Sequence, residues 1–200
     1  MFGILLSIAS TVVGALSSLG LAIEGLKLVG NLLMGIAKAL GIIKPETEVD
    51  ELGDKALQAE EEGIRPENFE TYEDYVKAIE GFKVDPEKSE LYTEEEKINK
   101  GIEVTSTLTA EKYPDLDVES LAIAIADSPE FFNGKVVEKL GDMLKNGTDS
   151  IDNILRYIDG SEKNIGRIDT AIDDLKNVYK SANPGVSDSL AEDMAIGLRR

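Results

Sequence analysis

The stretch that decides how this chain folds is its beginning, MFGILLSIASTVVGALSSLGLAI (residues 1–23), which contains no charged side chain. The whole chain of 200 residues has a formal net charge of −18, yet up to residue 43 its only charged residues are Glu24, Lys27 and Lys38. The acidic residues are therefore concentrated after that point. An asymmetry of this kind indicates an apolar segment joined to a soluble, acidic body.

The apolar segment carries a line of small or polar residues at a spacing of seven. A second, neighbouring line adds Ser7 and Gly14. A seven-residue repeat is typical of helices that pack closely with a left-handed supercoil, and small residues allow such contacts inside membranes. The candidate helix–helix contact stripe comprises Gly3, Ser7, Ser10, Gly14, Ser17, Glu24, Asn31 and Lys38.

The stripe favours one continuous helix over residues 2–40. The alternative is a helical hairpin that breaks between Gly20 and Gly25, because glycines recur there and each weakens a helix. In either form Glu24 and Lys27 are three residues apart and are expected to pair.

A helix that is apolar around most of its circumference must be covered, and the sequence leaves three possibilities open. The segment can embed in lipid, since about 20 apolar residues suffice for a span. It can assemble with copies of itself, or it can pack into the core of its own body. A cleaved signal peptide is not expected, because no basic residue precedes the apolar run.

The rest of the chain predicts an all-α protein. The composition changes at GIIKPETEVDE (residues 41–51), which predicts three parts: the apolar helical segment 1–43, an acidic linker or solvated helix over 44–68, and an acidic helical domain over 69–200. Apolar residues at helical spacing predict about five to seven short helices in that body. Thr93 and Glu96 form a capping-box pattern at the start of one of them.

The residues needed for common catalytic and metal sites are absent from the sequence. With no Cys and no His, the chain lacks thiol nucleophiles, imidazole bases and the usual zinc ligands. GLAIEGLK (residues 20–27) fails as a phosphate-binding loop, because Leu26 and Lys27 stand where Lys and Ser or Thr are required. We therefore expect no cofactor, no metal and no catalytic residue. The one enzymatic alternative is a carboxylate-based hydrolase.

These features predict a non-enzymatic structural or delivery protein. Its expected partners are membrane lipid or copies of itself, bound through residues 1–43, together with a protein partner for the acidic body. Nucleic acid is not an expected partner, because phosphates repel so acidic a body. The prediction fits a virion, pore-forming or secreted component associated with membranes. The alternative is a soluble, cytoplasmic interaction subunit whose N-terminal helix is buried by a partner chain.

Overall fold

The computed structural model describes residues 2–200, except for the side chains of Phe2 and Ile4. In this range every regular secondary-structure element is a helix. This confirms the all-α class. The helices are α1 (Phe2–Ser18), α2 (Ile23–Ala39), α3 (Val49–Glu61), α4 (Tyr72–Glu80), α5 (Pro86–Ser89), α6 (Glu94–Lys112), α7 (Val118–Asp127), α8 (Gly134–Leu144), α9 (Asp149–Ile158), α10 (Ile165–Ala182) and α11 (Asp188–Ile196), with a 3₁₀ turn at Pro66–Asn68. The body over residues 69–200 has eight helices, α4 to α11, rather than the five to seven predicted, because the short helix α5 forms in a stretch for which no helix was predicted.

The continuous helix predicted over residues 2–40 does not form. Helix α1 ends at Ser18 and α2 begins at Ile23. Between them Gly20 adopts a left-handed backbone with φ of +64°, a conformation that glycine accepts without a steric penalty and that commonly ends a helix. The predicted stripe is therefore divided between two helices. Within residues 2–200 no helix is both long enough and apolar enough to cross a membrane.

Helix α2 lies in the centre of the bundle. It packs against α6, α7 and α8, and its residues Leu33, Met34 and Ile36 are almost fully buried. Val12 and Leu16 of α1 belong to the same hydrophobic cluster, which extends as far as Leu198. One side of the apolar segment is thus part of the core of its own body. The boundaries at residues 43 and 68 stay predictions about domain organisation.

Helices α3 and α6 cross at very short distance because both have a glycine at the crossing. A Cβ atom on Gly53 would lie 1.7 Å from the carbonyl oxygen of Lys97, and one on Gly101 would lie 1.9 Å from that of Val49. Backbone therefore packs directly on backbone. Within the stretch 44–68, for which an acidic linker or a solvated helix was predicted, residues 49–61 form α3, and one face of this helix, including Leu52, is buried.

Helix α6 is the scaffold on which α1, α2 and α3 pack. It begins with the predicted capping box: the Thr93 side chain accepts from the Glu96 amide at 3.2 Å, and the Glu96 carboxylate accepts from the Thr93 amide at 2.7 Å. The buried hydroxyls of Thr105, Thr107 and Thr109 donate to main-chain carbonyls one turn back in the helix, as Thr105 does to the Gly101 carbonyl at 2.8 Å. Such bonds satisfy these three donors in the core, whereas the buried hydroxyl of Ser106 has no hydrogen-bond partner among the described residues.

Candidate interaction surface on the N-terminal hairpin

Helix α1 has two opposite faces, one buried and one open. Ala9, Val12 and Leu16 are almost completely buried where α1 lies on α6 and α7. Five predicted stripe residues share the opposite, exposed side, which we call the outer face of α1: Gly3, Ser7, Ser10, Gly14 and Ser17. Their alternating spacing of four and three places them along one line of the helix.

The remaining stripe residues do not continue this outer face. Glu24 is exposed at the beginning of α2, whereas Asn31 and Lys38 are half-buried farther along that helix. The Asn31 side-chain oxygen accepts a hydrogen bond of 2.8 Å from the Val49 amide, so it satisfies the first amide of α3. The structure brings five of the eight residues together. Whether they contact another helix stays a prediction.

The outer face of α1 is uncharged, and part of its polar surface is already bonded within the helix. The Ser10 hydroxyl on this face donates to a main-chain carbonyl of α1 at 3.0 Å, as do the neighbouring Thr11 and Ser18 at 2.9 and 2.6 Å. A Cβ atom placed on Gly3 or Gly14 would meet nothing within 4 Å. Covering this surface would therefore not strand the Ser10 donor, and a partner backbone could approach it closely.

The turn of the hairpin exposes apolar side chains. Leu19, Ile23 and Leu28 are 40%, 41% and 46% exposed, and we call these three residues the hairpin tip. The charged residues between them in sequence are Glu24 and Lys27. Leu19 and Ile23 lie at the two ends of the turn and Leu28 lies farther along α2, so this part of the chain offers exposed apolar surface for a contact.

The expected pair of Glu24 and Lys27 is replaced by contacts between the hairpin and α3. The Lys27 ammonium lies 2.8 Å from carboxylate oxygens of both Glu48 and Asp50. Hydrogen bonds to Asp50 first, and to Glu48, raise the pKa of Lys27 above its usual range. Lys27 is thus held against the acidic body, and Glu24 stays exposed at the tip.

An open groove of about 590 Å³ lies where α1, α3 and α6 meet, with α1 along one edge and α6 along the other. Val13 and Leu57 supply its apolar part, and the outer-face residues Ser10 and Gly14 form one edge. We call this feature the α1–α3 groove. The sequence did not reveal it, because the groove exists only if residues 49–61 form a packed helix. The only part of the groove that the sequence pattern pointed to was its α1 wall, because Ser10 belongs to the stripe of small residues at a spacing of seven.

The polar rim of the groove has two acidic side chains and one basic side chain, together with uncharged ones. Glu96 and Glu103 line it, and so does Lys100, whose ammonium lies 2.7 Å from Glu60 and 2.9 Å from Glu103. Burial alone would lower the pKa of Lys100, but the charge of Glu103 and contacts with Glu60 outweigh it and raise that pKa. Lys100 therefore stays protonated, and its positive charge is balanced by the carboxylates of Glu60 and Glu103.

Two acidic residues outside the groove show structural contacts of the kind that hold helices together. Glu73 forms ion pairs with Lys77 and Lys112, and Asp117 caps α7 by accepting from the Ser120 amide at 3.0 Å. Over residues 2–200 no group of three or more acidic side chains is arranged to hold a metal ion. Asp117 therefore stabilises the beginning of α7, and Glu73 links α4 to α6 through Lys112.

Comparisons with protein-family models, with curated proteins and with solved structures gave no match for this chain.

Proposed function

We propose that the protein is a non-enzymatic interaction subunit of a larger structural or delivery assembly, in which another component covers the outer face of α1. The observation that carries this proposal is the two-sided character of α1. One side is fixed in the protein core, and the other is a continuous uncharged line on an otherwise strongly acidic chain. The acidic body keeps the subunit soluble before it assembles.

The surface chemistry of α1 supports burial by a protein partner. Interface centres are depleted of charged residues, and residues 2–23 contain none. The hydroxyls of Ser10 and Thr11 are already bonded within α1, which lowers the desolvation penalty. Gly3 and Gly14 leave room for a helix to pack close to the backbone of α1.

Site-specific photocrosslinking in the producing cell tests this proposal. A photoreactive phenylalanine analogue replaces exposed Ser17, at the end of the outer face, and in a separate control it replaces exposed Glu138 on α8. We expect a discrete protein adduct at position 17 and none at position 138. The adduct should disappear in Gly14→Lys and persist in the matched variant Gly134→Lys, since both glycines have open space around the Cβ position.

The proposal fails if position 17 yields no protein adduct, or if Gly14→Lys leaves the adduct unchanged. An adduct with a second copy of this chain would support a self-assembling subunit. An adduct with lipid alone would contradict a protein partner and would favour the second function below.

The hairpin tip supports a second candidate, a delivery protein that attaches to membranes. Leu19, Ile23 and Leu28 could enter a lipid surface, and the acidic body would favour zwitterionic over anionic lipids. Flotation with phosphatidylcholine vesicles tests this. Ile23→Glu should abolish flotation, whereas Ile165→Glu, at an exposed isoleucine on α10, should retain it. Equal flotation of both variants, or none by the unaltered chain, rejects this candidate.

A further inference from the structure

We infer that the α1–α3 groove binds a cationic amphipathic helix of a partner protein, with the partner's apolar ridge in the groove and its Lys or Arg residues at the rim. This inference rests on the proposed function and specifies the chemistry of the partner. It depends on three properties of the groove: its shape, the bareness of one edge, and the charge of the other.

The shape suits an inserted helix ridge. Helices α1 and α3 both pack on α6, and an open volume of about 590 Å³ lies where the three helices meet. Side chains of Val13 and Leu57 give the groove apolar surface. A helix is about 10–12 Å across with its side chains, so an open groove between two helices can take one face of a third.

Next to Val13, the α1 edge of the groove consists of the small residues Ser10 and Gly14. Gly14 has no atom within 4 Å of the position of a Cβ, and the Ser10 hydroxyl is turned back to the Leu6 carbonyl. A partner helix can therefore approach this edge closely without stranding the Ser10 donor. A large side chain at position 14 would occupy the same space.

The charge on the α6 edge selects a basic partner. Glu96 and Glu103 line this edge, Lys100 is already paired with Glu60 and Glu103, and the Tyr92 hydroxyl donates to Glu61. A second copy of this chain would add another net charge of −18, and a lipid or nucleic-acid phosphate would add further negative charge. A Lys- or Arg-bearing segment is the complementary occupant.

The test uses the full chain and a displayed library of 18-residue helical peptides. Enriched peptides are sequenced, synthesised with a fluorescent label, and titrated with the protein by anisotropy at two salt concentrations. We expect the enriched peptides to be net positive with one apolar or small-residue face. Their binding should weaken as salt rises, because the rim charges are partly exposed.

Four variants separate groove binding from general attraction to an acidic protein. Gly14→Leu should weaken binding about tenfold or more by filling the groove, while Gly134→Leu adds the same side chain at an open glycine on α8 and should leave the Kd unchanged. Glu103→Gln should weaken binding about threefold at low salt. Glu138→Gln, with the same change in net charge on α8, should have no effect.

Enrichment of neutral or acidic peptides, or equal binding to Gly14→Leu and the unaltered chain, overturns the inference. Failure of the inference differs from failure of the proposed function. If no cationic peptide binds the groove but the position-17 photoadduct still depends on Gly14, the outer face is a docking surface with different partner chemistry. If the photoadduct is also absent, both fall.

Discussion

The close crossing of α3 and α6 predicts a loss of stability when a side chain is added there. A glycine at the crossing can be compared directly with a glycine in open surroundings. Gly53 lies at the crossing, where an added Cβ would be 1.7 Å from the Lys97 carbonyl oxygen. Gly14 lies in α1 with nothing within 4 Å of that position. The same substitution, glycine to alanine, should therefore have opposite effects at the two sites.

The magnitude follows from the distance. Real Cβ contacts essentially never fall below 3.0 Å, so α3 and α6 must separate by more than an ångström in Gly53→Ala. Overpacking of a core usually destabilises by about 1–3 kcal/mol, and main-chain obstruction belongs at the upper end of that range. The better helix propensity of alanine returns about 1 kcal/mol. The net expectation is a loss of about 2 kcal/mol in the free energy of unfolding.

Urea denaturation followed by circular dichroism at 222 nm gives the free energy of unfolding of both variants. In a thermal melt, a loss of about 2 kcal/mol lowers the Tm of a chain of this size by about 4–8 °C. Gly14→Ala should instead gain about 0.5–1 kcal/mol from helix propensity alone. If Gly53→Ala is as stable as Gly14→Ala, the close crossing does not exist and the packing described for α3 is wrong.

Three further predictions concern contacts between helices. Glu111→Gln should destabilise the protein by about 1 kcal/mol in urea melts, because its carboxylate accepts from the first two amides of α4 at 2.6 and 3.0 Å; an unchanged midpoint would contradict this. Asn31→Ala should cost about 1–2 kcal/mol by leaving the Val49 amide without its acceptor, and a neutral effect would exclude that role. Hydrogen bonds from Lys112 and Lys77 lower the pKa of Glu73 in the folded protein. The ionised carboxylate therefore contributes to the free energy of unfolding above the pKa of the unfolded state, and this contribution is lost as the pH falls through the pKa of the folded state. Glu73→Gln should therefore be less stable than the unaltered chain at neutral pH, and the two midpoints should converge once the pH falls below the lowered pKa of Glu73; a constant difference would refute the assignment.

Local signals in the sequence were sufficient for much of the helical pattern. The capping box of Thr93 and Glu96 and the cap of α7 by Asp117 depend on neighbouring residues, so they could be predicted directly. The break at Gly20 was harder, because a glycine tolerates both a continued helix and a left-handed turn. Which one occurs depends on the packing of α1 and α2 on α6, which no local pattern contains.

The position of the candidate site could be predicted only in part. Periodicity identified residues that share one face of α1, including Ser10 and Gly14, but it could not say which face the body covers. The burial of α3 was missed because its contact with α6 uses Gly53 and Gly101 rather than large apolar side chains. The α1–α3 groove depends on that contact and was therefore missed as well.

Helix α1 is fixed to the body by one face and open on the other, and thiol labelling tests this arrangement directly. The chain contains no cysteine, so single substitutions at adjacent positions give an unambiguous thiol label. Ala9 is fully buried and Ser10 is exposed. With a polar maleimide, Ser10→Cys should react as fast as an unfolded control, and Ala9→Cys at least about 100-fold more slowly. Equal labelling rates at the two positions would contradict the central claim.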